Sequence, residues 1–252
     1  NPTVFRSGLG ALTAVLMLVF RDTILSLVAS IQIMSNDIIR IGDWVEMPQP
    51  NADGDVIDIA LHTVKVQNWD KTISAVPTHS FIGESFKNWR GMSESGGRRI
   101  KRAIHIDMGS VHFLEDSEVE RLSRYEVLRE YMGSKRSELD SYHAEHAPAD
   151  PEVIPEQRRL TNLGTFRAYV VNYLRVHPQT HRDMTLLVRQ LASGPQGIPI
   201  EIYCFSNDTE WGSYEAFQAD IFDHLIAILP EFGLKAFQEP TGDDFAGAGG
   251  SR

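Results

Sequence analysis

The chain has 252 residues, 42% hydrophobic and 23% charged, with a formal net charge of −10. That size suits one large domain or several small ones, and the acidity excludes a general nucleic-acid-binding surface. Cys204 is the only cysteine, which excludes an intrachain disulfide and points to a cytosolic bulk.

The charge is unevenly placed. Residues 1–34 carry only Arg6, Arg21 and Asp22. From Val4 to Phe20 everything except Arg6 and two hydroxyl residues is apolar or small. As a helix this stretch is about 25 Å long, just short of a bilayer core of about 30 Å. Beyond it, Asp22, Ser26 and Ser30 recur every fourth residue among Ile24, Leu25, Leu27, Val28, Ile31 and Met34. The pattern predicts a break at Arg21–Asp22 between a spanning helix and an amphipathic helix near the interface. Gly8, Gly10, Ala11 and Ala14 are small enough to let helix backbones approach closely in a membrane. The competing reading, a buried hairpin helix of a soluble protein, must carry Gly8 and Gly10 at about 1 kcal/mol each relative to Ala. Position 1 is Asn, and no basic segment with a cleavage site precedes the apolar stretch. The start therefore reads as an interior cut in a longer protein rather than a signal peptide.

From about residue 36 to 92 the text changes to short β-rich runs. "GDWVEM", a turn over "PQPNADGD", "VIDIALHTVKVQNWD", the turn "DK" and "TISAVPTHSFI" predict five or so strands, a small barrel of Sm or SH3 type. Trp44, Trp69 and Trp89 fall in this region and pack the β domain, with contact to the lipid face the alternative for Trp44.

Residues 93–242 follow a third pattern. "RRIKRAIHIDM" reads as a strand, "EDSEVERLSRYEVLREYM" as a helix, and "DMTLLVRQLA" with "IPIEIYCFSN" as a strand pair. "SYEAFQADIFDHLIAIL" reads as a helix and "LKAFQE" as a last strand. This β-α-β-β-α-β order is ferredoxin-like. Residues 133–160 read as an inserted polar loop, and "TNLGTFRAYVVNYLRVH" as a further helix with Phe166, Tyr169, Val170, Tyr173 and Leu174 on one face. Residues 243–252, "DFAGAGGSR" with its preceding Asp, read as a disordered tail.

Fragments that tempt an enzyme or metal reading are weak. His143 and His146 stand three apart in a polar loop without a distant partner. His105 and Asp107 share a strand face, which alternation alone produces often. "NADGD" begins like a calcium loop, but the twelfth residue from Asn51 is His62, where a bidentate Glu is required. Arg98, Arg99, Lys101 and Arg102 form a basic cluster whose plain reading is a solvated strand edge. With no Gly-rich phosphate loop and no nucleophile motif, the chain reads as a non-enzyme without cofactor or metal.

The order of these parts resembles the bacterial small-conductance mechanosensitive channel (MscS) family. The small-residue helix, the charged break and "IRIGDWVEM" carry the likeness. "FRDTILSLVASIQIMSNDIIRIGDWVEMP", "DGDVIDIALHTVKVQNWDKTISAVPTHSFIGESFKNWRGMS" and "GTFRAYVVNYLR" look especially like its miniconductance (YbdG-type) branch. The resemblance implies a kinked pore-lining helix over residues 1–35, a β domain and an α/β cytoplasmic domain. It also implies a homoheptamer in the bacterial inner membrane, contacting lipids and permeant ions, and not nucleic acid. Residues after 35 then form a hollow cytoplasmic vestibule. Matched through Gly42, the family's two narrowing positions fall on Ala14 and Leu18, with Phe20 the alternative if the helix is rotated. The kink position falls on Asp22, preceded by Arg21.

Overall fold

The computed structural model describes residues 2–49, 51–146 and 158–240. The chain divides after Ser95 into two compact units. The first begins with helix α1 (Pro2–Asn36). It is one uninterrupted helix, so the predicted break at Arg21–Asp22 is absent. Neither residue is a helix breaker, and neither glycine nor proline stands near them. At about 52 Å the helix is longer than a bilayer core. Asp37, with φ of 53°, ends it.

A five-stranded sheet follows, with β1 (Trp44–Met47), β2 (Ala52–Ile59), β3 (Thr63–Asn68), β4 (Ile73–Pro77), the short helix α2 (Ser80–Gly83), β5 (Lys87–Asn88) and helix α3 (Arg90–Ser95). The strand order is β4-β3-β2-β1-β5, with every described pairing antiparallel. β4 and β5 lie at its two ends, so the described pairings do not close a barrel. Period-two alternation turns Val45, Met47, Ala52, Val56, Val64, Val66 and Val76 into one core with Ile39 and Phe81. Gly54 shares that inward face. A Cβ there would lie 1.9 Å from the Gln67 carbonyl oxygen, so only glycine allows β3 this close. The first predicted turn is shorter than expected: Asn51, with φ of 62°, joins β1 to β2, but Ala52–Asp55 belong to β2; the second is present, with Asp70 Oδ1 accepting from Thr72 N at 2.9 Å in the turn before β4.

The second unit contains β6 (Arg98–Ile106), α4 (Asp116–Leu122), α5 (Arg129–Glu145), α6 (Asn162–Val176), β7 (Leu187–Gln190), β8 (Ile198–Ser206) and α7 (Trp211–Ala227). β8 lies between β6 and β7, antiparallel to both. The predicted last strand is reduced to a bridge, Ile106 with Ala236, flanked by Asp107 N to Lys235 O at 2.9 Å and Phe237 N to His105 O at 2.7 Å. This places the 235–237 segment beside β6 and completes a ferredoxin-like order.

Two readings need correction. The helix expected over "EDSEVERLSRYEVLREYM" is two helices separated by a turn, and α5 continues to Glu145 through half of the expected inserted loop. The rest of that loop, 147–157, and the tail lie outside the described residues. The helix that crosses from β6 to β7 and covers the sheet is α6. Its Phe166, Tyr169, Val170 and Leu174 join Ile100, Ile104, Ile200 and Ile202 in the core, as the apolar periodicity of that segment predicts.

Candidate functional site

The chemistry-bearing feature is the exposed apolar surface of α1. Within the stretch Gly8–Asn36 an 18-residue window has a mean hydropathy of 1.9, yet only 11% of that window is buried. A soluble core helix of that character would be covered; this one presents Leu9, Leu12, Val15, Leu16, Met17 and Leu18 to its surroundings. Its length and composition fit a membrane span. Thr13 Oγ1 donates to Leu9 O at 2.8 Å, so this hydroxyl is satisfied within the helix as a membrane requires.

Each site residue expected from the sequence lies on this helix. Leu18 is 73% exposed and Phe20 51%. Ala14, Ala11, Gly8 and Gly10 are exposed too, and a Cβ built on either glycine meets nothing within 4 Å. Nothing among the described residues therefore accounts for the small residues. Arg21 and Asp22 are exposed, and no ion pair or hydrogen bond joins either side chain to the described residues.

The lower half of α1 reverses one expectation. Ser26, Ala29 and Ile33 are buried, and Ile33 joins the β-domain core. Ser30 Oγ lies 2.9 Å from both Ser26 O and Leu61 O, sharing its proton with the loop between β2 and β3. The serine stripe thus faces the β domain, where carbonyl acceptors are available. The apolar residues Ile24, Leu25, Leu27, Val28, Ile31 and Met34 are exposed.

Sequence reasoning missed the anchor beneath the helix. Arg90, at the start of α3, donates Nε to Asp43 Oδ1 at 2.9 Å and pairs through Nη2 with Asp43 Oδ2. Its Nη1 reaches Asp37 O at 3.1 Å and Asp37 Oδ2 at 3.2 Å. Asn88 Nδ2 and Arg40 N also donate to Asp43, at 2.9 and 2.8 Å. Arg40 pairs in turn with Asp37. Burial pushes the Asp43 carboxyl upward, but the Arg90, Asn88 and Arg40 hydrogen bonds outweigh it and hold the pKa below the usual range. The residue after α1 and the strand that follows are thereby tied to one guanidinium 47 residues from Asp43. No local signal in the sequence marks so distant a pair.

The remaining motifs are dispersed into ordinary structure. His143 Nε2 contacts Arg158 O at 2.9 Å, and His146 stacks on Tyr142 at 4.1 Å. His105 Nδ1 contacts Gln196 O at 3.2 Å, whereas Asp107 caps a 3-10 turn. Arg98, Arg99 and Arg102 lie over Tyr214, Tyr203 and Phe222, and Lys101 faces Glu201. Trp44 stacks on Trp89 at 4.5 Å and meets Trp69 edge-on at 5.3 Å, so the tryptophans do pack together.

Two sequence-family models match the chain: the β-domain of mechanosensitive ion channels over residues 22–91, and the C-terminal domain of the mechanosensitive channel MscS over 144–236. The low conductance mechanosensitive channel YnaI of Escherichia coli is 22% identical over 88% of this chain and 50% of its own length. The small-conductance channel MscMJ of Methanocaldococcus jannaschii is 23% identical over 56% of this chain and 37% of its own. The chain thus spans half or less of these relatives. Among solved structures, Arabidopsis thaliana MSL1 aligns with a TM-score of 0.62 at 13% identity, covering 94% of this chain and 65% of that one. Closed-state Helicobacter pylori MscS aligns at 0.58 and 11%, covering 96% and 72%. Matched in both domains behind an exposed apolar helix, this chain belongs to the MscS family of mechanosensitive ion channels.

Proposed function

We propose that the chain is the pore-forming portion of a mechanosensitive channel subunit that opens under membrane tension and protects a bacterial cell during hypoosmotic shock. The observation that carries this reading is α1, an apolar helix long enough to span and exposed from Gly8 to Leu25. In this reading seven copies of α1 surround a pore in the inner membrane of a multi-pass, homoheptameric protein of the miniconductance branch. Leu18 forms the apolar ring from which water withdraws, so ions must shed hydration to pass. Ala14 forms the wider ring, and Phe20 takes the narrow position if the helices are rotated. Gly8, Gly10 and Ala11 let neighbouring helices slide, which supports their bareness in the single chain. Tension favours the state of larger in-plane area, so gating is a shift between two packings.

One observation favours a second reading. The helix runs unbroken through Arg21–Asp22 with no glycine hinge, which suits a membrane-anchored regulatory or scaffold protein that conducts little. Patch-clamp recording under suction separates the two. Tension-dependent current supports the channel; silence up to lytic tension supports the scaffold.

A further inference from the structure

Helices α5 and α6 border a cleft of about 580 Å³, with Val188 of β7 also in its wall. That volume suits a small organic ligand. α6 turns Arg167, Val171 and Arg175 into it at four-residue spacing, and α5 adds Tyr131 and Lys135. Among the described residues, three cations therefore share the cleft with one carboxylate, Glu130.

Their engagement differs. Lys135 Nζ is taken by Glu138 at 2.6 Å. Arg175 reaches only Asn172 Oδ1, at 3.5 Å. Arg167 makes no ion pair or hydrogen bond among the described residues, and its Nε is shut from solvent without a partner. That nitrogen is closed off from the open cleft, so contact with a ligand falls to the terminal nitrogens of the guanidinium. Arg167 and Arg175 stand two turns apart, about 12 Å along the helix, and the guanidinium fork suits phosphate oxygens. Tyr131, Ala168 and Val171 offer an aromatic and aliphatic wall between them.

We propose that this cleft binds a small phosphate ester of nucleotide size, Arg167 and Arg175 holding the phosphates and Tyr131 and Val171 the organic body. The site lies wholly within the α/β unit and does not depend on conduction. The test is calorimetric titration of the purified, detergent-solubilised protein at low salt with ADP, pyrophosphate and adenosine. ADP and pyrophosphate bind saturably, and adenosine at least about tenfold more weakly. Arg175→Gln, at an exposed position, weakens ADP about 10- to 100-fold without moving the ligand-free unfolding midpoint. Arg167→Lys, which keeps the charge and loses the fork, also weakens it. Arg124→Gln, an exposed cation away from the cleft, changes nothing. Absence of saturable heat at millimolar ADP overturns the proposal. So does adenosine binding as tightly as ADP, or an Arg124→Gln loss as large as that of Arg175→Gln.

Discussion

Replacing Arg90 with Met removes the guanidinium that holds Asp43 and Asp37 while keeping an aliphatic stem of similar reach. The Asp43 side chain is 7% exposed and that of Arg90 18%, so the pair is mostly out of water. A fully buried pair broken on one side costs about 3–5 kcal/mol, and a surface pair about 0–1. Asp43 keeps the Asn88 and Arg40 N–H donors after the change. We therefore expect a loss of about 2–3 kcal/mol, which moves a urea midpoint down by about 1–2 M. Tryptophan fluorescence reads it directly, because Trp44, Trp69 and Trp89 cluster in the same domain. Lys87→Met, which breaks a pair with Glu46 in which Lys87 is 66% exposed, costs below about 1 kcal/mol. Adding Asp43→Asn to Arg90→Met removes the stranded charge, so the double variant is more stable than the sum of singles predicts. The pH dependence has a definite sign. The Asp43 pKa is depressed in the folded state, so its stabilisation is present above about pH 4 and lost as pH falls through the folded value. In Arg90→Met that acid loss is smaller. Strictly additive effects, or an Arg90→Met cost no larger than that of Lys87→Met, would refute the reasoning.

Leu18→Ser hydrates the proposed constriction and lowers the opening tension in patch-clamp; parent-like gating with a leak from Phe20→Ser moves the ring to Phe20. Gly54→Ala drives a Cβ into the Gln67 carbonyl and costs more than about 3 kcal/mol in the same urea assay, whereas an unaffected midpoint refutes the close approach. Gly10→Val leaves the helix content by circular dichroism unchanged, since a Cβ there meets nothing among the described residues, but shifts opening tension or subunit number by native mass measurement. Asp22→Asn alters opening tension, and adding Arg21→Gln changes it little further if the two residues pair between subunits; full additivity shows that they do not.

What was legible in the sequence followed periodicity and turn chemistry. The alternation of Ala52, Gly54 and Val56 in β2 and of Val64 and Val66 in β3, Asn51 in its turn and the α6 face of Phe166, Tyr169, Val170 and Leu174 all express local rules. The break in the 115–132 helix was not legible, because its polar residues suit helix and turn alike. The final strand near Ala236 depends on the edge of β6 being open to it, which is a tertiary fact. The Arg90 anchor and the α5–α6 cleft join residues many positions apart, beyond any spacing rule. On α1, composition expressed only an apolar helix long enough to span, whereas Ala14, Leu18 and Asp22 were singled out by matching the family through Gly42.

The serine stripe changes how the charges at Arg21 and Asp22 are understood. Asp22, Ser26 and Ser30 recur every fourth residue, so Asp22 continues upward the side of α1 that lies against the β domain. Arg21 points about 100° away, toward the face that remains exposed. Among the described residues neither side chain has a partner, and no local break lets either turn aside. An unbroken helix transmits rotation along its length, and its lower end is fixed by Ile33 in the core and by Arg90 at Asp37. The rotation of the Leu18 face is thus set by the anchor as well as by the neighbours. In a ring, Arg21 of one copy and Asp22 of the next then meet or separate according to that rotation. An exposed pair is worth only about 0–1 kcal/mol, but it is repeated in every subunit and all copies rotate together. The charged positions need not act as a hinge. In the proposed ring they would bias an otherwise unbroken helix between two rotations, a role for which glycine, with no side chain to pair, is unsuited.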